Sequence, residues 1–154
     1  MLNWLVLLRY SLIALAAGLV IFASYSFFRK PSPEEKLAAL QKEVAPTGGV
    51  VFQTELQGKK TAFLLMKCEV FLLDATAKKV KRTKVLRTGF YFWLTSCTGQ
   101  SIEARDGYVI AFLSNQAIGA GGGNTSGGTY RSKDGVKWQK ETPKGWLDVD
   151  EAQI

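Results

Sequence analysis

Histidine occurs nowhere in the 154 residues. Its absence excludes Ser-His-Asp and Cys-His catalysis, histidine-ligated zinc, helical HExxH sites and imidazole-based pH switching. Cysteine occurs only twice, at Cys68 and Cys97, and no CxxC pair is present, so a thioredoxin-type redox motif is excluded as well. Two thiolates cannot fill the four positions of a structural zinc site without carboxylates from elsewhere. We therefore expect no metal and no cofactor. Acidic residues are also in deficit, 13 against 20 Lys and Arg, for a formal charge of +7.

The basic excess has a location. Residues 1–30 hold three basic side chains and no acid, and residues 31–154 hold seventeen basic against thirteen acidic. Six of those seventeen, Lys78, Lys79, Lys81, Arg82, Lys84 and Arg87, fall within ten positions. Outside that strip residues 31–154 are slightly acidic, so the chain is not a generally basic nucleic-acid binder. The neighbouring aromatics Phe90, Tyr91, Phe92 and Trp93 read as core rather than as a base-stacking platform. Nucleic acid is thus not an expected partner. The basic strip reads either as a solvated edge strand that blocks aggregation or as a surface for an acidic protein or anionic headgroups.

One long apolar run stands out. Residues 10–28, opening on Tyr10 and closing on Phe28, are nineteen positions without a formal charge. As a helix this run spans roughly 30 Å of hydrocarbon at ~1.5 Å per residue. Arg9 precedes it, Arg29 and Lys30 close it, and Trp4, Tyr10 and Tyr25 fall near its ends, where amphipathic rings favour the interface. A cleaved leader is the rival reading, with Ser24-Tyr25-Ser26 as a small-x-small site. The length of the run and the nearly uncharged segment before it favour a retained single-pass anchor. Orientation pulls two ways. Arg29, Lys30, Lys36 and Lys42 after the run favour a cytoplasmic carboxyl-terminal domain by the positive-inside rule. Glu34, Glu35 and Glu43 accompany them, and we expect export, with the domain on the periplasmic side of a bacterial inner membrane.

Residues 31–48 read as a linker containing a short helix. Ser32 and Glu35 form a Ser-x-x-Glu capping pattern with Pro33 at the favoured first position. Leu37, Leu40 and Val44 fall on one stripe at i, i+3 and i+7. The stripe reads as a contact with the domain surface or with a partner. Pro46 and Gly48-Gly49 end the helix.

Residues 49–154 read as a small antiparallel β-sheet or sandwich-like domain, which makes the protein mostly β. Alternation predicts strands over 50–56 and 80–87, and the apolar run 108–113 reads as a further strand. Residues 61–73 read as one long or bulged strand, and 90–96 as a further apolar segment. Residues 130–140 read as a hairpin across Asp134-Gly135. Ser132, Asp134 and Trp138 in this hairpin match an Asp-box, and the segment resembles the Asp-box turn of sialidase-type β-propeller blades. Gly135 comes one place early and Lys137 stands at the box's Thr position. The resemblance implies an Asp that bonds turn amides and a Trp that packs beneath. It covers about ten residues once, and a propeller of ~4–8 blades does not fit in this length.

Three further features bear on chemistry. Cys68 and Cys97 would pair in an exported domain and remain separate thiols in a cytoplasmic one. Residues 119–128 contain six glycines with Asn124, Thr125 and Ser126. No Gly-Lys-Ser/Thr ending follows, so this is a loop able to meet a partner and not a phosphate cradle. Carboxylates are the one catalytic set left: Glu103 with Asp106, and Asp148, Asp150 and Glu151. A glycosidase needs two carboxyls ~5–9.5 Å apart across a cleft, which sequence spacing does not establish. We expect a non-enzymatic anchored protein-binding domain, either an envelope-complex subunit or an inhibitor of the immunity-protein kind. Its expected partner surfaces are the basic strip and Asn124-Thr125. The competing expectations are a cytoplasm-facing domain gripping anionic lipid and a small carboxylate hydrolase.

Overall fold

The computed structural model describes residues 29–88, 95–117 and 124–149. The expected membrane span, the aromatic segment 90–94, the tip of the glycine-rich stretch, and Asp150 and Glu151 lie outside them. Among the described residues no helix is long and apolar enough to cross a membrane. Residues from Pro33 onward form one compact unit. Its described residues contain a helix α1 (Pro33–Val44), a 3-10 turn (Ala45–Thr47) and nine strands. These are β1 (Val50–Leu56), β2 (Lys59–Met66), β3 (Glu69–Asp74), β4 (Lys81–Arg87), β5 (Thr95–Arg105), β6 (Tyr108–Ala117), β7 (Asn124–Ser132), β8 (Gln139–Thr142) and β9 (Gly145–Asp148). The first four make one antiparallel sheet and the last five another, each in simple meander order.

Tight turns set this topology. Gln57-Gly58, Lys67-Cys68 and Asp106-Gly107 each join two strands with both residues at positive φ. That conformation belongs to the type I′ turn, whose twist matches the flanking strands. Residues 61–73, read from sequence as one strand, are therefore a hairpin folded back at Lys67-Cys68. The polar break at Lys67 is its turn and not a bulge. Lys67 (54°) and Cys68 (57°) take this conformation without a glycine, which is why sequence signals for the turn were weak.

The first sheet is apolar on both faces. Phe52, Phe63, Leu65, Val70 and Leu72 point to the second sheet, where Val109, Ala111, Leu113, Tyr130 and Trp138 meet them in one core. Leu64, Phe71 and Leu73 point the other way, to Leu37, Leu40 and Val44 of α1. The helix stripe is thus used within the fold, covering the sheet it follows in sequence. Each such side chain contributes about 1.5–3 kcal/mol when fully buried. Gln41 fixes the helix end to the sheet, accepting from the Val51 amide at 2.5 Å and donating to the Gly49 carbonyl at 3.3 Å.

β4 is an edge strand. A register shift opposite Val70 and Phe71 places both Val85 and Leu86 in the shared core. That bulge explains why the basic–apolar alternation breaks down at Val85.

Candidate functional site

The six basic residues of the strip do not form one surface. Lys78 and Lys79 are exposed in the β3–β4 connection, and Lys81 and Arg82 are exposed at the start of β4. Arg82 pairs with Glu43 of α1 at 3.1 Å, and Lys84 pairs with Glu69 of β3 while lying 5.7 Å from the Phe71 ring centroid. Only Lys84 and Arg87 reach the opposite end of the sheet, where they line an open cleft of about 780 Å³.

That cleft lies around a bond between the sheets. Cys68, in the β2–β3 turn, is joined to Cys97 on β5 by a disulfide with the two Cα atoms 5.5 Å apart. Gln100 completes the junction: its side-chain oxygen accepts from the Cys68 amide at 2.9 Å, and its amide donates to the Gly48 carbonyl at 2.8 Å. An otherwise unsatisfied amide of a left-handed turn is thereby held. Across the cleft, the Asn115 side-chain amide donates to the Thr88 hydroxyl, and the Thr98 hydroxyl donates to the Ser114 carbonyl at 3.1 Å. Lys67, Glu69 and Ser96 complete a lining that is mostly polar. Gln100, Thr98 and Asn115 carried no sequence signal, since isolated amides and hydroxyls in a strand match no motif.

The other candidates fall elsewhere. Asn124 and Thr125 begin β7, with Asn124 opposite Gln116, so residues 124–128 are strand and not loop. Glu103 is exposed on β5 with Arg105 at 3.8 Å, and Asp106 is in the type I′ turn that follows. Neither lines the cleft. Asp148 accepts from the Gln139 side chain at 3.1 Å. Among the described residues no three Cys, Asp or Glu side chains group as metal ligands.

The hairpin that resembles an Asp-box is a structural clasp. Asp134 Oδ1 accepts from the Val136 and Lys137 amides, both at 2.8 Å, and from the Ser132 hydroxyl at 3.1 Å. Ser132 Oγ in turn accepts from the Gly135 amide at 2.8 Å. Trp138 is buried edge-on to Phe63, with 6.4 Å between ring centroids. Partial burial raises the Asp134 pKa, but the two amides and the hydroxyl outweigh it and hold the carboxyl below its ordinary value. A carboxyl depressed in the folded state stabilises at pH values above its unfolded pKa, and the contribution disappears as pH falls through the folded value. Acid titration of stability should therefore show a loss below about pH 4. Asp134→Asn, which keeps an acceptor without the charge, should flatten that segment of the curve. An unchanged acid limb in the variant would remove Asp134 from the account.

No protein-family profile, curated protein or solved structure matches the chain. Its function has to be read from its own residues.

Proposed function

We propose that the chain is a membrane-anchored, non-enzymatic protein-binding domain on the extracytoplasmic side of a bacterial inner membrane. In this reading the cleft beside the disulfide receives the partner. The observation that carries it is the Cys68–Cys97 bond, because such bonds persist in oxidising compartments and are rare in the cytosol. Uncharged residues 10–28 support the anchor. The cleft supports a protein partner through its polar lining with Lys67, Lys84 and Arg87 at the rim, a composition suited to hydrogen bonds and electrostatic steering.

A second reading has its own support. Arg29, Lys30, Lys36 and Lys42 follow the apolar run, and their count favours a cytoplasmic domain. Trapping thiols with acid and alkylating them in intact cells separates the two. The expected result is a chain with both cysteines protected until reductant is added. Free thiols in undisturbed cells would place the domain in the cytoplasm and sink the first reading. A photo-crosslinking residue at exposed Ser96 should then give a discrete adduct in living cells, whereas one at exposed Gln53 of β1 should not. Equal behaviour at the two positions would remove the cleft as the partner surface.

A further inference from the structure

The end of the first sheet opposite the cleft gathers lysines from segments far apart in sequence. Lys59 and Lys60 follow the β1–β2 turn, Lys78 and Lys79 are in the β3–β4 connection, and Lys81 opens β4; all five are exposed. Strand pairing puts these segments at the same end, since Leu56 faces Lys59 and Asp74 faces Lys81. The first turn of α1 lies there too. Lys36 Nζ donates to the Ala75 and Ala77 carbonyls at 3.0 and 2.8 Å, tying the β3–β4 connection to the helix start. Glu34 is 3.9 Å from Lys60. The connection is shaped locally as well: Asp74 accepts from both the hydroxyl and the amide of Thr76. The Thr76 hydroxyl, and then its amide, hold the Asp74 carboxyl below its ordinary value. Glu34, Glu35, Glu55 and Asp74 are the acids at this end, and the lysines outnumber them.

Chain connectivity gives this patch a neighbour. The apolar run ends at Phe28 and α1 begins at Pro33. Five residue steps reach at most ~18 Å at ~3.6 Å each, and Arg29 and Lys30 fall within that short connection. Were residues 10–28 the anchor proposed above, this reach would keep the tethered end of the chain near the membrane surface, where electrostatic attraction acts over a Debye length of roughly 8–10 Å.

We propose that Lys59, Lys60, Lys78, Lys79 and Lys81 form a platform that rests on anionic phospholipid headgroups of the leaflet beside the domain. This rests on the anchor reading above and adds to it the lipid class and the face. β2 and β4 both run away from the platform toward the cleft. Eight residues of β2 at ~3.3 Å each put roughly 25 Å between the two ends. Contact at the lysine end therefore leaves the cleft pointing away from the bilayer.

The test uses the full chain in nanodiscs, one set of pure phosphatidylcholine and one containing about one-third phosphatidylglycerol. Amide hydrogen exchange is followed over residues 57–60 and 75–81. Exchange should slow by about tenfold in the anionic discs, in line with the attraction of juxtamembrane lysines to anionic surfaces. The slowing should disappear at 0.5 M salt, where the Debye length has shrunk to about 4 Å. The variant Lys59→Glu/Lys60→Glu/Lys78→Glu/Lys79→Glu should exchange alike in both discs, with its disulfide and circular dichroism retained. Equal exchange of the native chain in both discs overturns the platform while leaving the anchor intact, and this is also what an acidic protein partner at this end would give. A chain that does not enter discs at all overturns the anchor and the platform together.

Discussion

Replacing both Cys68 and Cys97 by alanine is expected to lower the unfolding free energy by about 3–4 kcal/mol, the loop-entropy value for a cross-link of this span. The bond closes 29 positions of chain and joins a turn of the first sheet to β5 of the second. With a urea slope of about 2 kcal/mol/M, the midpoint should fall by roughly 1.5–2 M. A second effect makes the prediction specific to this geometry. Cys68 has a φ of 57°, a conformation that glycine adopts freely and alanine does not. The pair Cys68→Gly/Cys97→Ala should therefore recover about 1 kcal/mol relative to the double alanine. Urea unfolding of the full chain in mild detergent, followed by tryptophan fluorescence, gives all three values. Reductant should shift the native chain to a lower midpoint and leave both variants where they are. A native chain indifferent to reductant would sink the cross-link as a stabilising element.

The same turn shows where sequence reasoning succeeds and where it fails here. Helix α1 was legible to its ends, because Pro33 and the Leu37-Leu40-Val44 stripe are local signals and the stripe is buried as expected. β1 and β4 followed from alternation in the same way, and the first part of β6 followed from its apolar run over 108–113. The hairpin at Lys67-Cys68 was not legible, since its turn carries no glycine or asparagine and both flanking strands are apolar. Their apolarity has a tertiary cause: the first sheet is covered on one face by α1 and on the other by the second sheet. A strand buried on both faces loses the period-2 signal. β5 was missed for the opposite reason. Thr98, Gly99, Gln100 and Ser101 carry no apolar period to mark a strand, yet Gln100 is held there by its bonds to the Cys68 amide and the Gly48 carbonyl beside the disulfide. The Asp106-Gly107 turn that ends β5 carries the same dipeptide as Asp134-Gly135. It makes the two-residue turn, while Asp134-Gly135 sits in a longer clasp.

The candidate site was legible only in part, because it is built from distant pieces. Lys84 and Arg87 come from the strip, Cys68 and Cys97 from separate hairpins, and Gln100 and Asn115 from polar strand positions. The strip itself divides along β4. One end joins Lys59 and Lys60 beside the start of α1, and the other enters the cleft. Seen this way, the charge cluster is two features that share a strand. Charge reversal at Lys78 and Lys79 and charge reversal at Lys84 should consequently have separable effects, the first on bilayer contact and the second on the partner.

Gly127→Ala is expected to cost at least about 3 kcal/mol, the range reached when a side chain is forced into packed structure. The sequence offers Gly127 as one of many glycines in a flexible stretch. The structure makes it a paired position of β7, opposite Ser114 of β6. A Cβ there would lie 2.3 Å from the Leu113 carbonyl oxygen and 3.2 Å from Ser114 Cα, and the φ of 141° is one that L-residues avoid. Both neighbours are backbone atoms of a strand held in register on both sides, so neither can swing away. Relief requires β6 and β7 to separate near the bulge at Asn115 and Gln116. Two further glycines calibrate the effect. Gly135→Ala would meet Phe63 Cζ at 2.7 Å, a side-chain contact that a ring shift can partly relieve. Gly58→Ala has a φ of 75° with nothing within 4 Å, and should cost only about 1 kcal/mol. Urea midpoints should therefore fall in the order Gly58→Ala, Gly135→Ala, Gly127→Ala, with the last the most destabilised. A Gly127→Ala chain as stable as Gly58→Ala would mean that β6 and β7 do not pair in this register. The strand position of Asn124 and Thr125 would then fall with it.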